Sequence, residues 1–219
     1  MAALSGKVAR IRYTSAGATN STNESATLST DTVTLTIGAT AKRHWDSAST
    51  LPRVYSSTST GTALAASLYD VNHTQGKVVF RSAMSSTKTY KVDVAYLTAS
   101  YLTGGRNWEV DIETDTHDVT AFSTASTGAL WRRFKPGLSK WSAKIGRLVS
   151  TGSTGPLGFD RINAASSNLI VELVVNGTGQ EKYEGRARFA SDGIGADVGG
   201  LVTEDLELVG IGRLYYSTL

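Results

Sequence analysis

Cysteine is absent from the 219 residues, so disulfides, thiolate metal ligands and a cysteine nucleophile are all excluded. Proline occurs three times and methionine twice. No apolar run is long enough to cross a bilayer as a helix. The opening Met1-Ala2-Ala3-Leu4-Ser5-Gly6-Lys7 lacks the apolar core of a signal peptide, and the absence of cysteine fits cytosolic synthesis while leaving extracellular life without disulfides open. The three histidines, His44, His73 and His117, fall in separate segments with no metal-ligand spacing between any pair, and each reads as a surface or turn histidine. No nucleophile-elbow pattern occurs. The glycine-rich stretch from Gly193 to Gly200 lacks the Lys-Ser/Thr of a phosphate loop. An enzyme is therefore not expected, and neither is a cofactor or a structural metal. The net charge of +3 and pI near 9.1 come from scattered Lys and Arg. With no polybasic run interleaved with aromatics, a dedicated nucleic-acid reader is not expected either.

What is present is a sheet composition. Ser, Thr, Gly, Ala and Val dominate, and short apolar alternations recur between Gly/Ser/Thr clusters. The expected class is all-β, an antiparallel β-sandwich or flattened barrel. Strands are predicted at 7–13, 33–37, 53–56, 89–96, 169–175, 182–190 and 202–216. A hairpin is predicted where 68–71 and 77–81 flank Asn72-His73-Thr74-Gln75-Gly76. Ser15 to Asp31 and Ser191 to Gly200 read as loops, with Ser15 to Asp31 a mobile extension if not a loop. Pro156 to Ala165 reads as one short helix, with Pro156 near its start. Gly210 and Gly212 mark bulge or close-approach positions in the last strand.

The stretch from Arg106 to Val149 organises the rest. It holds Trp108, Trp131 and Trp141, three of the four tryptophans. Trp108, Val110 and Ile112 alternate with Glu109, Asp111, Glu113 and Asp115 at the strand period, placing the apolar set toward a core and the acids on the other face. An Asp118-Val119-Thr120-Ala121-Phe122 segment follows, then a Ser/Thr/Gly loop, Trp131-Arg132-Arg133-Phe134, and Pro136-Gly137, a turn signal. From Lys140, Trp141, Ala143 and Ile145 alternate with Lys140, Ser142 and Lys144 as a second strand. The first third of the block carries five carboxylates, and the part after Trp131 carries six Lys/Arg and no acid, a split that suits a surface pairing with a copy of itself. The acids could be a solvated strand face, a pore lining or, less well, a calcium site, for which the tight glycine turn is missing. The tryptophans could stack sugars, but Trp108 and Trp141 sit on apolar strand faces and read as core, while Trp131 beside Arg132 and Arg133 reads as an interface anchor.

This block resembles the major tail tube proteins of long-tailed, siphovirus-type bacteriophages. The resemblance rests on Trp108-Glu109-Val110-Asp111, Asp118 to Phe122, Trp131, Pro136-Gly137-Leu138 and Trp141-Ser142, in that order. It implies a tail-tube β-sandwich with one short flanking helix, formed by residues 1–15 and 103–219, with 16–102 as an inserted β-rich unit. It further implies hexameric rings stacked into a hollow virion tube, assembled in the host cytoplasm, through which DNA passes without specific binding. Terminator, tape-measure and tail-tip proteins would be its partners, and no membrane is involved. On this reading Glu109, Asp111 and Glu113 are candidates to line the lumen, and Trp131, Arg132, Arg133, Lys140 and Lys144 are candidates for contacts between subunits. The alternative is a β-sandwich binding module that recognises glycans or decorates a capsid.

Overall fold

The computed structural model describes residues 10–14, 17–56, 61–119, 134–149, 169–175, 181–196 and 202–218. The protein is all-β, as its composition predicts. In order the strands are β1 (Arg10–Thr14), β2 (Thr19–Leu28), β3 (Thr34–Ile37), β4 (Arg53–Tyr55), β5 (Tyr69–Asn72), β6 (Lys77–Phe80), β7 (Tyr90–Tyr96) and β8 (Ala99–Tyr101). They continue with β9 (Gly105–Asp118), β10 (Phe134–Val149), β11 (Leu169–Val174), β12 (Glu181–Ala196), β13 (Val202–Gly210) and β14 (Tyr215–Thr218). Short 3-10 turns stand at Thr40–Lys42 and Ala66–Leu68. The chain forms two compact units, one of residues 1–103, 168–186 and 215–219, the other of 104–167 and 187–214.

The first unit contains a six-stranded sheet in the order β4-β7-β2-β3-β6-β5. Its core is Leu35, Ile37, Trp45, Val54, Tyr69, Val78, Phe80, Tyr90, Val92 and Val94. The period-two pattern puts it there: on β7 Tyr90, Val92 and Val94 are buried while Lys91 and Asp93 are only half-buried. Phe80 lies between Tyr69 and Tyr90, with ring centroids 6.1 and 6.0 Å away. The unit also contains β8-β1-β11 and residues 181–186 of β12, with β14 pairing β12 over Glu181–Glu184. The hairpin expected around Asn72 to Gly76 is β5–β6.

β2 corrects the expectation of a loop or mobile extension. Its Thr/Ser/Asn sequence has almost no apolar alternation to read, and only Ala26 and Leu28 pack on the core. Backbone pairing with β7 and β3 holds it instead. Between Ser21 and Glu24 the register shifts, and Asn23 takes φ 60° there while its N–H donates to Asp93 Oδ1 at 2.7 Å.

The second unit orders β12-β13-β10-β9, using residues 187–196 of β12. One face is buried through Trp141, Ala143 and Ile145 of β10, Leu206 and Leu208 of β13, and Ala187 and Phe189 of β12. The same face holds an ion pair sequence alone does not announce: Arg147 Nε donates to Glu204 directly across the β10–β13 ladder, both fully buried. Pro136-Gly137 is not a turn. β10 runs through it from Phe134, and the register with β9 shifts between Pro136 and Ser139. Proline has no N–H for the ladder, so the chain accommodates it as an irregularity in the part of β10 that pairs with β9 alone, before its pairing with β13 begins at Ser142. The glycine-rich stretch is likewise strand up to Ala196, with Gly193 and Gly195 opposite Asp205 and Thr203. The helix expected at Pro156 to Ala165, and the loops at 123–128 and 150–155, lie outside the described residues.

Gly210 is the close approach its position suggested. A Cβ there would overlap the indole of Trp141, which is itself fixed by Nε1 donating to the Gly212 carbonyl at 3.0 Å. Gly210→Ala should therefore destabilise the fold by about 1–3 kcal/mol, the usual penalty of overpacking. Urea unfolding followed by tryptophan fluorescence measures it, and an unchanged midpoint would show that the indole has room to move.

Candidate assembly surface and a buried ion network

The polar face of the second unit is built by the β9–β10 register. Glu109 lies opposite Lys144, Asp111 opposite Ser142, and Glu113 opposite Lys140. Directly opposed residues share a sheet face, so the acids and both lysines form one ladder within the chain. Lys140 Nζ and Glu113 Oε2 are 2.9 Å apart, and this pairing raises the Lys140 pKa. Both groups are exposed, which makes the pair a weak contributor to stability. Strand parity adds Asp205 and Glu207 of β13 to the same face, where a shallow groove is lined by Glu109, Lys144, Asp205 and Glu207. The sequence signal for these two was available: Thr203, Asp205 and Glu207 alternate with Glu204, Leu206 and Leu208.

The apolar side of β9 departs from expectation along its length. Trp108 and Val110 are half-buried opposite Ile145 and Ala143, but Ile112 is 63% exposed. Beyond it, β9 to Asp118 is exposed at every residue, and β10 from Phe134 to Lys140 is exposed at all but one. This two-stranded ribbon holds Phe134 and Leu138 in water, at 56% and 83% exposure. Trp131, Arg132 and Arg133 lie outside the described residues.

The sequence reading missed a second constellation, in the first unit. Glu172 of β11 is 1% exposed and sits in a continuous ion network. Arg12 Nη1 donates to its Oε2 at 2.6 Å, and Lys182 Nζ donates to Oε1. Lys182 also reaches Glu184 Oε2 at 2.9 Å, while Gln75 Nε2 donates to Glu184 Oε1 at 2.8 Å. His44, read from sequence as a surface or turn histidine, is buried here. Its Nδ1 faces the Thr74 carbonyl at 2.7 Å and its Nε2 faces Glu172 Oε1 at 3.2 Å. Both partners are acceptors, so the ring satisfies both only with a proton on each nitrogen. Burial pushes the Glu172 carboxyl up, but the His44 ring and Lys182 ammonium outweigh it and hold the group at about 2. Burial likewise lowers Lys182, and Glu184 and Glu172 more than reverse that. The only signals for this network in sequence were a glutamate inside the apolar run Leu169–Val174 and a histidine beside Trp45.

His44, Glu172 and Glu184 offer ligand atoms within 4.8 Å of one another, the grouping of a metal site. They do not fit one: the Lys182 ammonium already bridges both carboxylates, and Arg12 adds a second cation. A divalent ion would have to displace the one and sit beside the other. The carboxylates of β9 form no such grouping among the described residues. No described helix is long and apolar enough to cross a membrane.

No protein-family model and no curated protein sequence matches the chain. Among solved structures it is similar to a chain in the virion of a native gene transfer agent particle, at 17% identity and TM-score 0.44, over 55% of this chain and 89% of that one. It is also similar to a chain in the tail of an empty gene transfer agent particle, at 18% identity and TM-score 0.45, over 55% of this chain and 87% of the other.

Proposed function

We propose that this protein is a structural subunit of a phage-type virion tail, and that copies of it form hexameric rings stacked into a tube through which DNA is delivered. The observation that carries this reading is the β9–β10 ribbon. A two-stranded ribbon is marginal in water by itself, and among the described residues this one leaves a strand edge along β9 unpaired together with Phe134 and Leu138 exposed. A neighbouring copy supplies what the isolated chain lacks, by heterologous contact that closes into a ring. The spacing of Trp108, Asp118 to Phe122, Trp131, Pro136-Gly137-Leu138 and Trp141 supports the same reading.

In that assembly Glu109, Asp111 and Glu113, joined by Asp205 and Glu207, line the bore. Their negative surplus repels phosphate, so DNA moves without specific contact. Lys140 and Lys144 temper that surplus from within the chain, and Trp131, Arg132 and Arg133 serve contacts between subunits. Residues 16–102 are an insertion on the outer side of a tube wall formed by 1–15 and 103–219. Terminator, tape-measure and tail-tip proteins are the other partners, the assembled protein resides in the virion, and no chemical step is involved.

Electron microscopy of the purified full chain tests the reading. Six-fold rings or long tubes are expected. Leu138→Asp should abolish them while leaving the subunit's thermal unfolding unchanged, because a residue this exposed contributes within about 0.5 kcal/mol to the fold. A chain that stays monomeric and binds glycans would instead identify a binding module.

A further inference from the structure

A cavity of about 380 Å³ opens in the first unit beside the ion network, within the size range of small-ligand pockets. Four cations line it, Arg12, Arg43, Lys77 and Lys182, against two carboxylates, Glu172 and Glu184. Two positive charges are in excess before His44 is counted. Both carboxylates already have partners: Glu172 has Arg12, His44 and Lys182, and Glu184 has Lys182 and Gln75. Not every donor does. Arg12 spends Nη1 on Glu172 and Nη2 on the Ala99 carbonyl at 3.2 Å, and its Nε is buried without an acceptor. Ser217 Oγ, on the same wall, is also buried without a partner. The Lys77 ammonium takes no ion pair among the described residues. Arg12 Nε and Ser217 Oγ are closed to solvent, so what the wall offers an incoming group is charge: Arg43, like Lys77, takes no ion pair among the described residues.

We propose that this cavity binds a phosphate-class oxyanion, either inorganic phosphate or the phosphoryl end of a monoester. A doubly charged group matches the excess of two, and its oxygens can meet Lys77 and Arg43 together, whereas a singly charged carboxylate neutralises only half of that excess. The site is independent of the tube reading, since every wall residue belongs to one chain. A protein that binds phosphate and never polymerises leaves it intact.

Calorimetric titration of the full chain with inorganic phosphate, at constant ionic strength and neutral pH, should give saturable one-to-one binding in the millimolar range or tighter. Acetate should bind at least about tenfold more weakly. Lys77→Ala should weaken phosphate by about tenfold or more while leaving the unfolding midpoint without phosphate unchanged, because Lys77 holds nothing in the empty fold. O-phosphoserine binding as well as phosphate would show that the mouth admits an ester, and phosphate alone would assign the free ion. Absence of saturable heat, acetate binding as well as phosphate, or Lys77→Ala binding like the parent would each overturn the site.

Discussion

Replacing Glu172 by glutamine should destabilise the fold by about 3–5 kcal/mol, a large part of the stability of a domain this size. The amide keeps the shape and removes the charge on which Arg12, His44 and Lys182 converge. What is lost is chiefly compensation: cations already stripped of much of their water are left without a counter-ion. Removing both ends of a pair is milder, so Glu172→Leu combined with Lys182→Met should recover part of the loss. Urea unfolding of the three chains measures both effects, and equal midpoints for Glu172→Gln and the parent would show that the network contributes nothing.

The same carboxylate predicts the response to acid. Its folded pKa, about 2, lies below the ordinary 4.5, so its contribution is fully present above 4.5 and is lost as pH falls from there toward 2. The size is on the order of 3 kcal/mol. Lys182 is raised instead, so its share is present below the ordinary 10.5 and is lost as pH rises past it. The share these two groups contribute should be flat between these limits and fall on both sides, and Glu172→Gln should shrink the acid limb by the part Glu172 supplies.

The second large effect concerns the ladder on β9 and β10. Reversing Glu109, Asp111 and Glu113 to lysine would face Lys144 and Lys140 with like charges, so lost assembly could reflect damage within the subunit. An exchange across the ladder avoids this. Glu113→Lys combined with Lys140→Glu keeps their cross-strand pair and the net charge, and among the described residues position 140 has no partner on β13 to upset, whereas Lys144 also faces Glu207. If the face lines a bore, where only the summed field matters, this chain should form tubes like the parent. Asp111→Lys alone, opposite the neutral Ser142, should then give tubes that retain duplex DNA, with retention falling steeply as salt rises. If the face is a seam between copies, the exchange should abolish assembly, because each charge then meets the wrong partner. Electron microscopy with a DNA co-sedimentation series separates these outcomes, and loss of tubes in the exchanged chain would overturn the bore.

How much of this was legible in the sequence depends on what held each strand. Where one face is apolar at period two, as in Tyr90, Val92 and Val94 or Trp141, Ala143 and Ile145, the strand was predicted with its inward residues. Where main-chain pairing alone holds the strand, composition pointed the other way. β2 and the Gly193–Ala196 end of β12 read as loops because Ser, Asn and Gly are turn residues in isolation. The acidic row of β9 was visible, but its partner lysines were assigned to another copy because cross-strand register is not written in either strand alone. His44 and Glu172 are 128 residues apart, and nothing local marks two polar residues that only folding brings together.

β2 gives the molecule a region of mutational latitude. Thr19, Asn20, Thr22 and Thr27 are exposed, and the strand they sit on is held by main-chain bonds that any residue except proline can make. Substitutions there escape the packing penalty that polices β7 beside it. Such a surface can drift through successive generations without harm to folding, and it is the natural place to graft a foreign epitope or tag.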